Sequence, residues 1–196
     1  MPSFSKYMRE LPQFNVVENY FTPEEVDRIN DLEELQEFTE GKVGFDKSGT
    51  THKETRDSHI SWLFLNNDSR WIFDKFNWLT AQVNHSHFMQ NIDGFEAFQY
   101  TKYSKNQHYT WHFDYEPRFN KFERKISAVV ILTDPKKYTG GELEIVTNGN
   151  IEKPQILKPN IGTVVFFASW MPHRVAPVKS GVRKSLVAWV MGERSC

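Results

Sequence analysis

Two histidines and one aspartate have the residue types and spacing to bind a metal ion together. His112 and Asp114 are two positions apart, and His173 lies 61 residues after His112. In a β-strand, positions i and i+2 point to the same face, so His112 and Asp114 could share one ion while Phe113 packs the other way. Two imidazoles and a carboxylate form the facial triad of non-haem Fe(II) sites, which leaves the opposite coordination positions open. Taken alone, a His-x-Asp pair is more often a chance surface pair or a hydrogen-bonded pair.

A guanidinium follows the second histidine at a spacing that suits anion binding. Arg183 lies ten residues beyond His173, at the start of a predicted strand. Arginine offers a rigid two-pronged donor to a carboxylate and stays charged when it is removed from water. Ser185 would share the face of Arg183 and could donate to the same carboxylate, whereas Lys184 would point away. The pattern predicts an anchor for a dicarboxylate, with a surface ion pair of Arg183 as the alternative.

Helices followed by short strands must position these residues. A first helix is predicted to begin at Pro23, where Thr22 can cap it and Glu25 can complete a capping box. A second is predicted to begin at Asn67 or Asp68. Its buried and flanking positions follow helical spacing, with the apolar stripe among Trp71, Ile72, Lys75, Phe76, Leu79 and Val83. Strand patterns occupy residues 14–21, 56–65, 95–103, 126–133, 143–146, 162–167 and 185–190. Residues 138–141 carry a turn signal. This order predicts a mainly β fold with α, a double-stranded β-helix (jelly roll) with N-terminal helices packed on one face.

Length and composition limit the class of protein. At 196 residues the chain is expected to form one domain, with a helical portion of about 1–94 and a jelly-roll catalytic core of about 95–192. Lys and Arg total 24 against 25 Asp and Glu, which gives no strong nucleic-acid signal. The single cysteine, Cys196, excludes an intrachain disulfide framework and a Cys-rich zinc site. With neither a secretory signal pattern nor an apolar run of ~18 residues, we expect a soluble cytoplasmic protein without membrane association.

Several segments together resemble a known enzyme family. They are Tyr103 with residues 109–114, then 132–134, 138–143 and 159–167, and finally 173–178 with Gly181 and Arg183. Their order and spacing resemble the prolyl 4-hydroxylase-like branch of the 2-oxoglutarate/Fe(II)-dependent dioxygenase superfamily, and most of all its small microbial and viral members. The resemblance covers about residues 95–192.

The resemblance implies roles for individual residues. It makes His112, Asp114 and His173 the iron ligands, and Arg183 the partner of the distal carboxylate of 2-oxoglutarate. Tyr103 matches a tyrosine that often approaches the cosubstrate, although a tyrosine in the core of the fold is an equal alternative. Collagen-type relatives tend to have a tyrosine at the position of Ile131 that also contacts the distal carboxylate. That contact must be missing here or be replaced by Ser185 or Tyr103.

The resemblance also implies a reaction. Fe(II), 2-oxoglutarate and O2 would be required, ascorbate would support turnover, and succinate and CO2 would be released as a substrate C–H bond is hydroxylated. The leading substrate is a prolyl residue in a peptide or protein. A free amino acid, another small molecule and a nucleobase remain alternatives, as does a jelly-roll module whose metal site has no redox role. The oligomeric state is left open.

Two further expectations concern residues around the predicted site. The glycine-rich segment 41–53 is predicted to be a loop that closes over a peptide-like substrate. Four residues that flank the ligands could line a substrate cleft or belong to ordinary rim packing: Trp111, Tyr115, Arg118 and Trp170. The remaining histidines are expected to have surface or core roles.

Overall fold

The computed structural model describes residues 14–32, 37–41, 52–115 and 121–194. Helix α1 spans Pro23–Asp31 and begins at the predicted capping box. The Thr22 hydroxyl accepts from the Glu25 backbone N–H, and the Glu25 carboxylate accepts from the Thr22 backbone N–H. Val26 and Ile29 are buried on the inner side of the helix, as their spacing predicts.

Helix α2 spans Arg70–Val83, two to three residues later than the sequence suggests. The delay has a local cause, because the Asn66 side chain accepts from the backbone N–H groups of Asp68 and Ser69 and keeps them in a turn. The predicted apolar stripe is buried, and a short π-helical turn over Asn84–Phe88 follows the helix.

Strands make up about half of the remaining described residues. Their bounds are β1 Phe14–Val17, β2 Thr39–Glu40, β3 Arg56–Asp57, β4 His59–Leu63, β5 Gly94–Phe95, β6 Phe98–Tyr103, β7 His108–His112, β8 Phe122–Ile131, β9 Thr139–Gly140, β10 Leu143–Ile145, β11 Gln155–Leu157, β12 Val164–Ala168, β13 His173–Val175, β14 Val178–Ser180 and β15 Arg183–Glu193.

Two antiparallel sheets organise these strands. The major sheet has the order β1-β12-β8-β15-β6-β4-β2, with β5 added beside β15, and the minor sheet has the order β11-β10-β13-β7-β3. Strands β14 and β9 form a separate ribbon. One apolar core lies between the helices and the major sheet, and a second lies between the two sheets. The predicted jelly roll, with helices covering one face, is therefore confirmed.

The predicted strand at 56–65 is divided in the structure. Strand β3 pairs with β7 of the minor sheet, whereas β4 pairs with β6 of the major sheet. The chain passes between the sheets at Ser58, which is buried and accepts from Arg56 Nε at 2.9 Å. Strands from the N-terminal portion thus join both sheets of the jelly roll. That one domain covers all of residues 1–196 stays a prediction.

The predicted turn at 138–141 is partly a strand, because β9 pairs with β14. Gly140 and Gly141 both have positive φ angles, which glycine adopts without strain. Within the described residues, no helix is long and apolar enough to cross a membrane.

Candidate metal centre

The ends of two neighbouring strands bring the three predicted ligands together. His112 is the last residue of β7 and His173 the first of β13, and they are directly paired in the sheet. Asp114 lies two residues beyond the end of β7. Its two carboxylate oxygens are 3.7 Å from His112 Nε2 and 3.4 Å from His173 Nε2. One ligand atom from each of the three residues lies within 4.8 Å of the others, an arrangement that could hold a metal ion.

Backbone carbonyls fix the orientation of both imidazoles. His112 Nδ1 lies 2.8 Å from the Thr110 carbonyl oxygen, and His173 Nδ1 lies 2.9 Å from that of Met171. A carbonyl oxygen only accepts, so each Nδ1 carries the hydrogen and donates it. This leaves Nε2 of each ring facing Asp114, and Nε2 is the atom that binds a metal once it carries no proton. The donor set fits Fe(II), since two imidazole nitrogens and one carboxylate match the facial triad.

Burial and mutual proximity shift the pKa values of all three residues. Burial, reinforced by the charge of His173, lowers the pKa of His112 to about 3, so this imidazole is neutral at physiological pH. Burial disfavours ionised Asp114, but the two histidines outweigh it and hold the carboxyl pKa below its usual range. Burial likewise disfavours charged His173, but Asp114 outweighs it and raises that pKa. The site therefore presents an ionised carboxylate beside imidazoles, as a divalent cation requires.

The predicted anchor opens into the same cavity as the three ligands. This cavity has a volume of about 690 Å³, and Arg183, Ser185 and Tyr103 are among its walls. Arg183 is only 2% exposed and donates to the Ser185 hydroxyl at 2.9 Å. Its guanidinium lies 5.6 Å from the ring centroid of Tyr103, the residue opposite it in strand β6. Lys184 is absent from the cavity wall, in agreement with strand alternation.

Ile131 lies in the core between the sheets, paired with Ser185, and does not line the cavity. Tyr138, which was not predicted to belong to the site, is buried beside Arg183. A Cβ atom at Gly141 would lie 3.1 Å from Arg183 Cδ and 3.3 Å from the Tyr138 ring, so glycine permits their close approach. Burial raises the pKa of Tyr138, and the nearby Arg183 charge opposes that shift. Gly140 and Gly141, which follow Tyr138 closely, were the sequence signal that could have indicated this close contact.

Sequence reasoning also missed an aromatic stack on one ligand. The Tyr109 ring lies 3.5 Å from the His112 ring, centroid to centroid, with 14° between their planes. Arg56 lies 4.7 Å from the Tyr109 centroid on that ring's face, and burial raises the pKa of Tyr109 to about 12. Regular alternation would place residues three apart on opposite faces of a strand. A register shift between β7 and β13 pairs His173 with His112 but Val175 with Tyr109, and this irregularity hides the stack from the sequence.

The predicted orientation of Phe113, at the mouth of the cavity, is wrong. Phe113 does not pack into the interior opposite the ligands but is 59% exposed at the cavity wall. Strand alternation fails there because β7 has already ended. Tyr115 lines the cavity, whereas Trp111 and Trp170 do not. Trp111 instead contacts Arg174, and Trp170 lines a separate cavity of about 260 Å³.

Some predictions fall on residues that the structure does not describe. Arg118 and most of the predicted loop at 41–53 lie outside the described residues. Within the described ranges, the other histidines join no group of three potential metal ligands. His87 bonds to the Asn15 amide at 2.8 Å, and His52 lies 3.1 Å from Glu54.

A jelly roll whose cavity holds a His-Asp-His group opposite a buried arginine is the architecture of Fe(II) oxygenases that use 2-oxoglutarate. Residues 98–191 match the family model described as the 2OG-Fe(II) oxygenase superfamily. The chain is therefore similar to this superfamily over the segment that contains His112, Asp114, His173 and Arg183.

Curated relatives carry the name PKHD-type hydroxylase. One from Prochlorococcus marinus (strain MIT 9301) is 30% identical over 145 residues, covering 70% of this chain and 64% of the relative. One from Synechococcus sp. (strain CC9605) is 38% identical over 87 residues, covering 44% of this chain and 38% of the relative. The chain thus spans less than two thirds of the length of these relatives.

Solved structures share the fold over nearly the whole chain. A Pseudomonas putida prolyl-4-hydroxylase is 18% identical with a TM-score of 0.71, covering 93% of this chain and 94% of that one. A Trichoplax adhaerens prolyl hydroxylase, solved with a hypoxia inducible factor peptide fragment, is 18% identical with a TM-score of 0.73, covering 91% and 83%. A viral collagen prolyl hydroxylase from Paramecium Bursaria Chlorella virus-1, in its 2OG complex, is 22% identical with a TM-score of 0.67, covering 92% and 96%.

Proposed function

We propose that this chain is an Fe(II)- and 2-oxoglutarate-dependent dioxygenase that hydroxylates a C–H bond, with a prolyl residue of a peptide or protein as its substrate. One observation carries the proposal. The His112, Asp114 and His173 side chains and the buried Arg183 guanidinium line a single cavity. A structural metal site has no use for a buried cation that could bind a carboxylate on the wall of its cavity.

Each group has a defined task in this proposal. Bound Fe(II) would supply the redox chemistry that couples oxidative decarboxylation of 2-oxoglutarate by O2 to substrate hydroxylation, with release of succinate and CO2. His112, Asp114 and His173 would hold the ion on one face. Arg183, supported by Ser185, would bind the distal carboxylate of 2-oxoglutarate through a charge-assisted pair. The surrounding apolar walls would limit access of water to the reacting atoms.

The prolyl substrate is supported by the relatives and by the cavity mouth. The three neighbours described above are prolyl hydroxylases by name, and one of them was solved with a peptide. Exposed aromatic side chains at the mouth, Phe113 and Tyr115, suit an apolar ring better than a charged or strongly hydrated group. Ascorbate is expected to support turnover by keeping the iron reduced.

A turnover screen tests the proposal. The purified chain would be incubated with Fe(II), 2-oxoglutarate and ascorbate against proline-containing peptides, free amino acids and nucleosides. We expect iron-dependent succinate release with a 16-dalton gain on a proline-containing peptide. His173→Ala is the inactive control, and Lys184→Ala is the matched active one. Iron binding without succinate release, whether a candidate substrate is present or absent, would instead indicate a non-redox metal-binding module. A mass gain on a nucleoside or free amino acid alone would overturn the prolyl assignment.

A further inference from the structure

A buried ion pair lies close to the candidate metal site without lining its cavity. Glu123 and Lys125 stand near the beginning of β8, are 6% and 4% exposed, and lie 2.6 Å apart between carboxylate and ammonium. Removing two charges from water is costly, and the attraction between them often only compensates for that cost. Stabilisation of the fold alone is therefore a weak explanation for the pair, and its other contacts point elsewhere.

An irregularity in the major sheet places this pair. Strand β15 pairs Val190 with Ile126 and Met191 with Arg124, so Lys125 is an extra residue in β8. Such a bulge frees the extra residue from the regular ladder and redirects its groups. On the other side of β8, the Lys125 carbonyl oxygen accepts from the Ser169 backbone N–H at 3.1 Å. This bond continues the β8–β12 pairing one residue beyond Ala168 and Ile126, and it joins β8 to the turn that precedes His173.

The same serine holds the chain at the third metal ligand. The Ser169 carbonyl oxygen accepts from the backbone N–H of Asp114 at 3.0 Å and from that of Tyr115 at 2.8 Å. The Tyr115 hydroxyl donates to the second Glu123 carboxylate oxygen at 2.9 Å. Glu123, Lys125, Ser169 and Tyr115 therefore form a closed ring of contacts, here called the Asp114 clamp.

Asp114 needs such support because of its place in the chain. His112 and His173 are held within paired strands, and backbone carbonyls fix their rings. Asp114 lies beyond the end of β7, where no strand partner fixes its backbone. A metal site holds its ion tightly only when its ligands are oriented before the ion arrives. The clamp supplies to the carboxylate the orientation that strand pairing supplies to the two histidines.

We propose that Tyr115, Glu123 and Lys125 are positioning residues that hold the Asp114 carboxylate in its metal-binding geometry. The inference rests on the proposed function, since it takes the three ligands as an iron site. Tyr115 also lines the cavity, so a direct contact with substrate is the rival role for this residue.

The test separates orientation of the ligand from general stability and from substrate contact. Tyr115→Phe removes one hydroxyl and keeps the ring. Fe(II) affinity would be measured anaerobically by calorimetry, with Co(II) absorption as a second readout. We expect affinity for both ions to fall by about tenfold, the low end of the range for lost outer-shell partners. Tyr20→Phe is the matched control, since its hydroxyl donates to the Lys75 carbonyl at 2.7 Å in the helical layer. It should leave metal affinity unchanged.

A second variant removes the buried charges together. Glu123→Leu combined with Lys125→Met avoids leaving one charge unpaired, and replacement of a buried pair by apolar residues is often tolerated by the fold. We expect cooperative unfolding to be retained and Fe(II) affinity to fall at least as far as in Tyr115→Phe. The combination of a retained fold and weakened metal binding is a result that a purely structural role does not produce.

Each contrary outcome has a definite meaning. If the unaltered protein binds neither Fe(II) nor Co(II), the proposed function fails and the clamp fails with it. If the unaltered protein binds iron and both variants bind it equally well, the clamp alone is wrong. If Tyr115→Phe raises only the KM for the peptide substrate, Tyr115 is a wall of the substrate site and does not position Asp114.

Discussion

The two ends of the cavity are built in different ways. At the metal end, the two histidines are oriented by backbone carbonyl groups only two residues away in the chain. At the other end, Arg183 is held by side chains and close backbone approaches from several elements, among them Ser185, Tyr103 and the Gly141 turn. The rings of the two histidine ligands are thus fixed by local geometry, whereas the anion site in the same cavity depends on tertiary packing. Changes at each end should therefore have separable effects.

The largest expected effect is loss of a metal ligand. His173→Ala should reduce Fe(II) affinity by more than the roughly 10–100-fold seen when outer-shell partners are lost, and should abolish turnover. Anaerobic calorimetry and succinate release measure the two effects. His52→Ala, which removes a half-exposed imidazole that joins no metal-ligand group, is the control. Near-normal iron binding by His173→Ala would show that the ligand set is wrong.

Arg183→Ala should affect the opposite end alone. Truncating one partner of a buried charge pair costs about 2–5 kcal/mol, so 2-oxoglutarate affinity should fall by roughly 30-fold to several thousandfold. Fe(II) affinity should stay nearly unchanged in the same titration. Arg183→Lys should recover only part of the loss, since an ammonium cannot reproduce the two-pronged geometry.

Lys184→Ala is the neighbouring control for Arg183. Its side chain is not part of the cavity wall, so the affinity for 2-oxoglutarate should be retained. If Lys184→Ala weakened 2-oxoglutarate binding and Arg183→Ala did not, the anchor would be Lys184, on the other face of β15.

A smaller effect tests the dependence of the anchor on tertiary packing. Gly141 has a φ of +68°, and a Cβ there would lie 3.1 Å from Arg183 Cδ. Gly149 has a φ of +72° with no atom within 4 Å of such a Cβ. Alanine at either position should cost about 1–2 kcal/mol of stability through backbone strain. Gly141→Ala alone should also weaken 2-oxoglutarate, by several-fold in a binding titration. Equal affinities in the two variants would mean that the turn does not position Arg183.

The smallest effect concerns the helical layer, which should influence neither end. Lys75 Nζ lies 2.7 Å and 2.5 Å from the two carboxylate oxygens of Glu25. Burial opposes ionisation of Glu25, but Lys75 and the Thr22 N–H outweigh it and lower its pKa below the ordinary value of 4.5. A lowered folded-state pKa stabilises the fold above the unfolded value, and that stabilisation is lost as the pH falls through the folded value.

Glu25→Gln should therefore lower the free energy of unfolding by about 0.5–1 kcal/mol at pH 7. The difference from the unaltered protein should shrink as the pH falls below 4.5. Urea unfolding at pH 7 and at a pH below 4.5 measures this difference, with iron affinity at pH 7 as the companion measurement. A difference that is independent of pH, or a change in iron affinity, would contradict this view of the helical layer.

The sequence was sufficient where the determinants are local. The capping box at Thr22, the apolar stripe of α2 and the start of β15 follow from nearest neighbours in the chain, and the structure confirms them. The two histidines were selected from their residue type and spacing and from the family resemblance. The roles of the six predicted site residues, His112, Asp114, His173, Arg183, Tyr103 and Ser185, remain predictions until they are measured.

What the sequence could not provide depends on register and on contacts distant in the chain. The bulges near Tyr109 and at Lys125 shift side chains between faces, and no local pattern marks them. Phe113 was placed wrongly because alternation was extended past the end of β7. The burial of Arg56 and Tyr138 in or beside the site depends on elements that meet only in the folded chain.

The backbone bonds to the two imidazoles bear on how this cavity can change over evolutionary time. Both acceptors are main-chain carbonyls, of Thr110 and Met171, so the side chains at these positions contribute nothing to the histidine tautomers. The side chains at these two positions can change without altering which histidine nitrogen faces the ion. Residues at the cavity mouth, such as Phe113, are similarly separate from these bonds. A lineage can thus explore new substrates by point mutation while its metal chemistry is inherited unchanged.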